Sequence, residues 1–340
     1  MGNELVYSKS YDEFNIVART FRSLSLFDKE GNQLKTISSD SLLRMTTDNN
    51  HVYVLIGDSS FYIIAVYDFA LNQIERIPLP NMSSPQNYGA DYIVAANRRI
   101  MFNSPNTGGS YGHRMGFIDL NKGREVHYVD IKQTGSSCYR FMSYYDKATD
   151  SFYTKDGIKI LKLNENTYEW EDTGATNFKA TSPCSSQTYQ LSFINGINNG
   201  IYCDSYGEGG IGAVTYGYNN REGFITYNDG NGNMFNQYCM LNENKAFVYG
   251  VANSLILGAI EDFKNEIVTV KSVEGVKTGR YGLYPMFKHP YKNIILIPIS
   301  NSTNAKIMIY DYDNDAYSIF DTGIASTNAY ACNAVTVPKQ

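Results

Sequence analysis

The sequence predicts an all-β fold: a seven-bladed β-propeller of four-stranded antiparallel blades, closed by pairing of its N- and C-terminal strands. Two observations predict it. A two-strand hairpin pattern echoes seven times along the 340 residues, and another strand pair precedes most of the copies. An all-strand unit that returns after roughly 40 to 50 residues is typical of propeller blades. Because no unrepeated stretch is large enough for a second unit, residues 1–340 form one predicted domain.

Each copy of the hairpin has an apolar strand, a polar hinge residue, a short turn and a second strand. The copies read SLSLFDKEGNQLKTI, IAVYDFALNQIERI, MGFIDLNKGREVHYV, KILKLNENTYEW, GFITYNDGNGNMF, LGAIEDFKNEIVTV and IMIYDYDNDAYSIF. Their hinge residues are Asp28, Asp68, Asp119, Lys162, Thr226, Glu261 and Asp311.

The strand pairs before the hairpins supply the other half of each blade. They read LLRMTTDNNHVYVLIG, YIVAANRRIMFNS, FMSYYDKATDSFYT, LSFINGINNGIYCD, CMLNENKAFVYGV and MFKHPYKNIILIPI. Each has an apolar strand, a turn rich in Asn, Asp, Gly, Lys or Pro, and a β-branched or aromatic strand. Together with the hairpins they predict six complete units of four strands, A to D, between about residues 41 and 322.

The two ends of the chain supply the seventh unit. The segment NAYACNAVTVPKQ resembles an isolated A strand, and ELVYSK, FNIVAR, SLSLFD and LKTI can provide the others. Pairing across the ends would remove the exposed edges of an open stack of sheets. The N-terminus offers one strand more than is needed, so the partner of Ala334–Val337 stays open. Six blades, or another β-solenoid or barrel, are the alternative architectures.

The hairpin pattern resembles the kelch repeat: an aliphatic or aromatic residue, then Asp, a turn, and an aromatic residue about six positions later. IYDYDNDAY (309–317) and AVYDFALNQI (65–74) are the closest copies. The paired glycines of a kelch strand B are missing, and Trp170 alone matches the usual late tryptophan. The resemblance therefore implies a kelch-like architecture. It does not imply that this chain binds the partner of any kelch protein.

Composition excludes several classes of function. The net charge of −5, without a long basic cluster, argues against nucleic acid and against an anionic membrane surface. The segment MGNELVYSKSYDEF lacks the features of a signal peptide, and no apolar run is long enough to span a bilayer. Five cysteines, an odd number without a CxxC pair, predict free thiols. We expect no metal and no cofactor.

Long connections predict where a partner would bind. The A–B and C–D turns are short, whereas the B–C and D–A connections include Leu79–Asp91, Asn103–Arg114, Thr173–Thr188, Asp204–Glu222 and Val273–Tyr284. Long loops on one face of a rigid scaffold commonly carry binding sites. Tyrosines among glycines, followed by Asn and Arg, suit sugar rings or a protein epitope, although they would equally suit a loop packed on its neighbouring blade. The candidate ligand-binding residues are Tyr206, Tyr216, Tyr218, Asn219, Asn220 and Arg221, with a second cluster of Tyr111, His113 and Arg114.

Catalysis is not expected. The four histidines (His51, His113, His127 and His289) fall at positions that do not easily converge, and no nucleophile motif is present. GEGGIG lacks the ending of a phosphate loop, and turn chemistry accounts for the calcium-like composition of DYDNDAY and DGNGN. Asp204, Glu208 and Glu222 leave a polysaccharide-degrading glycosidase or lyase as a third alternative.

Low charge, abundant Tyr, Asn and Gly, and free cysteines resemble the style of bacteriophage propeller modules. This resemblance implies a non-enzymatic virion component, in a tail, fibre or head decoration, that contacts other virion proteins or a host-surface glycan or protein. The alternative is a bacterial kelch-like binding module that is cytoplasmic, or exported by a signal absent from this chain. The sequence leaves the ligand, the host and the oligomeric state open.

Overall fold

The structure is a computed structural model, which describes the following stretches of the chain. These are residues 13–20, 22–39, 41–57, 62–80, 92–106, 112–129, 143–156, 159–176, 191–194, 201–208, 211–218, 221–227, 235–242, 245–251, 255–262, 265, 267–274, 276, 286–300, 304–325 and 333–339. The predicted strand ELVYSK lies outside the described residues, and so do most residues of the predicted connections Leu79–Asp91, Thr173–Thr188 and Val273–Tyr284.

The described residues form β-strands joined by turns. Sheets 1 to 3 contain β1 (Phe14–Arg19), β2 (Ser23–Phe27), β3 (Gln33–Ser38), β4 (Leu42–Thr47), β5 (Val52–Gly57), β6 (Tyr62–Tyr67), β7 (Gln73–Pro78), β8 (Tyr92–Ala96), β9 (Arg99–Asn106), β10 (Gly112–Asp119) and β11 (His127–Tyr128). Sheets 4 and 5 contain β12 (Tyr144–Asp146), β13 (Ser151–Asp156), β14 (Lys159–Asn164), β15 (Glu169–Thr176), β16 (Leu191–Ile194), β17 (Ile201–Glu208), β18 (Ile211–Tyr218) and β19 (Arg221–Tyr227). Sheets 6 and 7 contain β20 (Phe235–Asn242), β21 (Lys245–Val251), β22 (Leu255–Asp262), β23 (Ile267–Val273), β24 (Phe287–Lys288), β25 (Ile294–Ser300), β26 (Asn304–Asp311) and β27 (Ala316–Ala325). Strand β28 (Asn333–Pro338) completes sheet 1.

Every sheet has four antiparallel strands in simple up-and-down order. Sheets 2 to 7 each use four strands that are consecutive in the chain, and sheet 1 has the order β28-β1-β2-β3. The architecture is an all-β propeller of four-stranded antiparallel blades, as the sequence predicts. We keep the letters A to D for the strands of each sheet. Because the strands alternate in direction, the A–B and C–D turns share one end of a blade (the A–B end), and the B–C turn lies at the other (the B–C end).

The N-terminal strand that pairs with β28 is β1, the segment FNIVAR. Six residue pairs join them, from Phe14 opposite Pro338 to Arg19 opposite Asn333. All six residues of each strand are buried, because sheets pack on either side of this blade.

The core lies between successive sheets rather than within one. One cluster packs Val17 and Val335 of sheet 1 against Leu42 and Val54 of sheet 2. Further clusters join sheets 2 and 3, sheets 3 and 4, and sheets 6 and 7. Another joins sheet 7 to sheet 1, where Ile307 meets residues that include Phe14. Apolar side chains therefore alternate between two neighbouring blades along each inner strand.

One predicted hairpin is wrong. The segment GFITYNDGNGNMF, with its hinge at Thr226, was expected to be the C–D hairpin of its blade. In the structure Thr226 lies within β19, the D strand of sheet 5, and the next described strand is β20, the A strand of sheet 6. The run of Gly, Asn and Asp imitates a tight hairpin, but the true C–D turn lies before Arg221.

Candidate functional site

The segment Asp204–Glu222, predicted as one long loop, is mostly strand. Its described residues belong to β17, β18 and the start of β19. The prediction took the glycines as signs of a loop. It gave too little weight to the Val, Thr and Tyr residues between them, which favour β-strands. Gly207 and Gly212 face each other across the β17–β18 ladder. The segment is therefore a glycine-containing hairpin inside a blade.

This hairpin separates the tyrosines that the sequence grouped together. Tyr206 pairs with Ala213 near the B–C end, whereas Tyr216 pairs with Cys203 and Tyr218 pairs with Arg221 at the A–B end. Ala213 and Tyr216 are three positions apart on one strand, or roughly 10 Å at the usual rise per residue. Asn219 and Asn220 lie outside the described residues. The predicted cluster is thus divided between the two ends of the blade.

The second predicted cluster lies at the B–C end. His113 pairs with Pro105 and Arg114 with Ser104 in the β9–β10 hairpin of sheet 3, and Tyr111 lies outside the described residues. The segment Asn103–Arg114, predicted as a long connection, is strand in its described residues.

In sheet 5 the β17–β18 hairpin runs to the pair Glu208–Ile211 at the B–C end. Tyr206 lies two positions from that pair. The B–C end therefore brings Tyr206, His113 and Arg114 to the same end of their blades.

At the A–B end, the repeated hinge aspartates are turn residues. Asp28 accepts hydrogen bonds from the backbone N–H and side-chain amide of Asn32, at 2.7 and 2.8 Å. Asp68 does the same with Asn72, at 2.7 and 2.9 Å. Asp311 binds Asn314 in the same way. A carboxylate that caps the N–H groups of its own turn explains the sequence echo without any ligand.

The A–B turn of sheet 2 uses the same device, and that of sheet 7 uses it with one substitution. Asp48 accepts the N–H groups of Asn50 and His51, at 2.7 and 2.8 Å. In sheet 7 a histidine takes this role, because His289 Nδ1 accepts the N–H groups of Tyr291 and Lys292, both at 3.1 Å. The proton of the neutral ring therefore sits on Nε2. Burial lowers the pKa of His289 to about 4.

A polar network joins the A–B turns of sheets 2, 3 and 4 through Asn97 and Arg98. The Arg98 backbone N–H donates to Asp48 Oδ2 at 2.9 Å. The Asn97 amide donates to the Tyr145 hydroxyl at 3.2 Å and to Asp150 Oδ1 at 3.1 Å. Neighbouring blades are thus fixed to one another by side chains of their turns.

Arg99 anchors the same network from within the blade. Its guanidinium forms ion pairs with Asp150 and with Glu165, the latter at 2.8 Å, and lies over the Tyr145 ring at 5.6 Å. Burial would raise the pKa of Asp150, but hydrogen bonds from Tyr145 and the charge of Arg99 outweigh it and hold that pKa below its ordinary value. Burial, together with the hydrogen bond to Asp150, raises the pKa of Tyr145.

Two A–B turns that are far apart in the chain also come into contact at the A–B end. The ammonium group of Lys147, in the A–B turn of sheet 4, lies 5.5 Å from the centre of the Tyr291 ring in the A–B turn of sheet 7. Lys147 is exposed. No sequence motif predicts this contact, since its two residues lie in turns of different sheets.

No metal site was found in the part of the chain that the structure describes, where no three His, Cys, Asp or Glu residues are grouped as metal ligands would be. In DYDNDAY, Asp311 caps its own turn, Asp313 accepts the Asn293 amide, and Asp315 binds Lys271 and Tyr310. Burial raises the pKa of the Cys239 thiol to about 12, so it is protonated at neutral pH. The described residues include no helix that would cross a bilayer.

Comparison with known proteins supports the fold and leaves the function open. No family model matches the chain, and no curated protein matches it. The structure is similar to TolB from Acinetobacter baumannii, with a TM-score of 0.52 and 12% identity over 100% of this chain and 71% of that one. It is similar to AztD from Citrobacter koseri, with a TM-score of 0.54 and 12% identity over 95% and 98% of the two chains.

A third similar structure is a Bacteroides uniformis protein provisionally named as a 6-phosphogluconolactonase. The TM-score is 0.61 and the identity 8%, over 96% of this chain and 100% of that one. The fold is a β-propeller. Since propellers with such different names share it, the fold by itself assigns no chemistry to this chain.

Proposed function

We propose that this protein is a non-enzymatic binding propeller that engages a protein or a cell-surface glycan through the B–C end of its blades. One observation carries the proposal. The β9–β10 and β17–β18 hairpins both reach the B–C end, and their registers place His113, Arg114 and Tyr206 there. Tyrosine and arginine are residue types that commonly dominate binding surfaces.

A rigid scaffold would hold these hairpins in place, and we infer that it is a closed ring of seven blades. Three observations support the inference. The described strands form seven four-stranded sheets, β28 pairs with β1, and a core cluster joins sheet 7 to sheet 1. Closure would leave no open sheet face between the first and last blades.

A binding role without catalysis is supported by how the described titratable groups are used. Asp28, Asp68 and Asp311 cap turns, and His289 accepts two backbone N–H groups. Asp150 is held by Arg99 and Tyr145. Groups committed to such bonds are poorly placed to transfer protons to a substrate.

The two ends of the blade can be tested against each other with bacterial surface polysaccharides immobilised on a sensor. We expect that changing Tyr206, His113 or Arg114 to Ala weakens retention of a bound glycan at least about tenfold, a loss of ~1.4 kcal/mol. The matched controls are Tyr216→Ala, Tyr218→Ala and Arg221→Ala, which lie at the opposite end of a blade. These controls should retain binding. Melting temperature is measured for all six variants to exclude unfolding.

The opposite pattern, with binding lost only in the three controls, would contradict the proposed B–C end. Release of fragments from a polysaccharide would show an enzyme. If no polysaccharide is retained, the glycan version is wrong, and affinity capture with the same six variants tests a protein partner. A place in a phage virion and a kelch-like affiliation both stay predictions. No virion protein and no kelch protein is among the three similar structures described above.

A further inference from the structure

Strand β27 forms the outer edge of sheet 7. It ends the order β24-β25-β26-β27, so among the described strands it pairs only with β26. Ala316, Tyr317, Ser318 and Ile319 are all exposed, and the exposed fractions of Tyr317 and Ile319 are 45% and 38%. The outer side of an edge strand presents backbone N–H and C=O groups to which another strand can add. This edge therefore combines an open strand with exposed apolar side chains.

The first half of β27 lacks the features that usually protect an edge. Those features are charged side chains, proline and bulges. The D strands of sheets 1, 2 and 4 carry such residues, namely Lys35 in β3, Glu75, Arg76 and Pro78 in β7, and Glu169, Glu171 and Asp172 in β15. From Ala316 to Phe320, β27 has no charged residue and no proline. Its bulge comes later, between the pairs Lys306–Asp321 and Asn304–Ala325.

The exposed segment is complementary to a second copy of itself. In an antiparallel pair of two β27 strands centred on Ser318, each Tyr317 would lie opposite Ile319 of the other copy. Pairs of an aromatic with a β-branched side chain stabilise antiparallel sheets, and two serines that face each other can form a hydrogen bond. Such a pair has two-fold symmetry, which is the commonest symmetry between identical subunits.

The charges at the two ends of the segment are compatible with this pairing. Asp315 of one copy would face Asp321 of the other. Asp315 forms an ion pair with Lys271 at 2.8 Å, and Asp321 accepts from the Asn304 amide at 3.2 Å and lies 3.9 Å from Lys306. Each carboxylate thus has a cation of its own beside it, which reduces the repulsion between them. The bulge that begins at Asp321 bends the strand and would end the pairing there.

We propose that β27 is the interface through which two copies of this chain associate, with Ser318 on the two-fold axis. Sheet 7 of one copy continues into sheet 7 of the other, so that the two four-stranded sheets form one antiparallel sheet. The proposed partner surface lies on sheets 3 and 5, whereas this interface uses sheet 7. Neither proposal depends on the other.

Opposite charges at Ser318 test this pairing. Sedimentation velocity of the whole protein over a range of concentrations should show a dimer. Ser318→Lys and Ser318→Glu should each weaken its association at least about tenfold, because like charges then face each other across the axis. An equal mixture of the two variants should restore the dimer, because lysine then lies opposite glutamate. Circular dichroism should show both variants folded, since Ser318 is exposed.

Thr269→Lys is the matched control. Thr269 is exposed in the uncharged stretch Ile267–Val270 of β23, the D strand of sheet 6, and this variant should still dimerise. An equal loss of association in Thr269→Lys would contradict an interface at β27. A monomer at every concentration, or a mixture of the Ser318 variants that stays monomeric, would also overturn the proposal. A monomer that binds a peptide of sequence AYSIF would show that the edge accepts a strand of another protein instead of a second copy.

Discussion

Phe320 of sheet 7 packs directly against Gly31, in the C–D turn of sheet 1. A Cβ atom built on Gly31 would lie 2.8 Å from the Phe320 Cβ and 3.0 Å from its Cγ, and Gly31 has a φ of +89°. The turn therefore requires glycine for two reasons. Its φ is positive, and Phe320 of the neighbouring blade leaves no room for a Cβ atom. This contact is one of the places where the last sheet of the chain meets the first.

Gly31→Ala should lower the free energy of unfolding by about 2 to 4 kcal/mol, from the strained φ together with the clash. The control is Gly174→Ala, because Gly174 has a φ of +78° and open space around its missing Cβ. That variant should lose only about 1 kcal/mol. Urea unfolding measures both, and equal losses would mean that Phe320 moves aside without cost.

Asp48→Ala should destabilise the protein by about 2 to 4 kcal/mol, because it removes the acceptor for the Arg98 N–H and for the buried Tyr53 hydroxyl. The control is Asp68→Ala. Asp68 caps its own turn in the same way, but its bonds with Asn72 are exposed and do not join blades. We expect that control to lose about 1 kcal/mol in urea unfolding. Similar losses would show that the link between sheets 2 and 3 contributes little.

His289 should make stability depend on pH. Its folded-state pKa is lowered by burial to about 4, below the ordinary value near 6.5. Between these two values the unfolded chain takes up a proton that the folded chain does not. The free energy of unfolding therefore falls as the pH decreases through this window, by at most about 1.4 kcal/mol per pH unit, and the contribution is fully present above pH 6.5.

His289→Asn tests this dependence, since an Asn side chain can accept the same two backbone N–H groups without titrating. Urea unfolding at several pH values from 7 to 4 should give a flatter profile for the variant. If both proteins lose stability in parallel as the pH falls, His289 is not the group responsible.

Deletion of residues 333–340 should prevent folding of a stable monomer. It removes β28, and with it the partner of β1, the side chains of Val335 and Val337 in the core, and the Asn333 acceptor for the Met45 N–H at 2.9 Å. A milder variant, Asn333→Ala, should cost about 1 to 3 kcal/mol through that single buried N–H. Circular dichroism and size-exclusion chromatography measure the outcome. A folded, monomeric deletion protein would argue against closure through β28.

Local pattern determined the strands. Alternating apolar residues and turn-forming residues placed the A–B pairs and most C–D hairpins, because strand and turn preferences act over only a few neighbours. The hinge aspartates could be recognised for the same reason, since Asp68 and Asn72 bond within one turn. The same local approach failed at Asp204–Glu222, where glycines were taken for a loop and β17–β18 pairing keeps them in strands.

Only the tertiary structure decided what depends on distant parts of the chain. The choice of β1 as partner for β28 joins residues at the two ends of the sequence, where several N-terminal strands suit the pattern equally well. The division of the tyrosines follows from the register of one hairpin, and the contact between Lys147 and Tyr291 joins turns of sheets 4 and 7. Sequence by itself determined that this chain forms four-stranded β units. Packing of those units against each other decided which side chains share a surface, because neighbours across blades leave no periodic signal in the sequence.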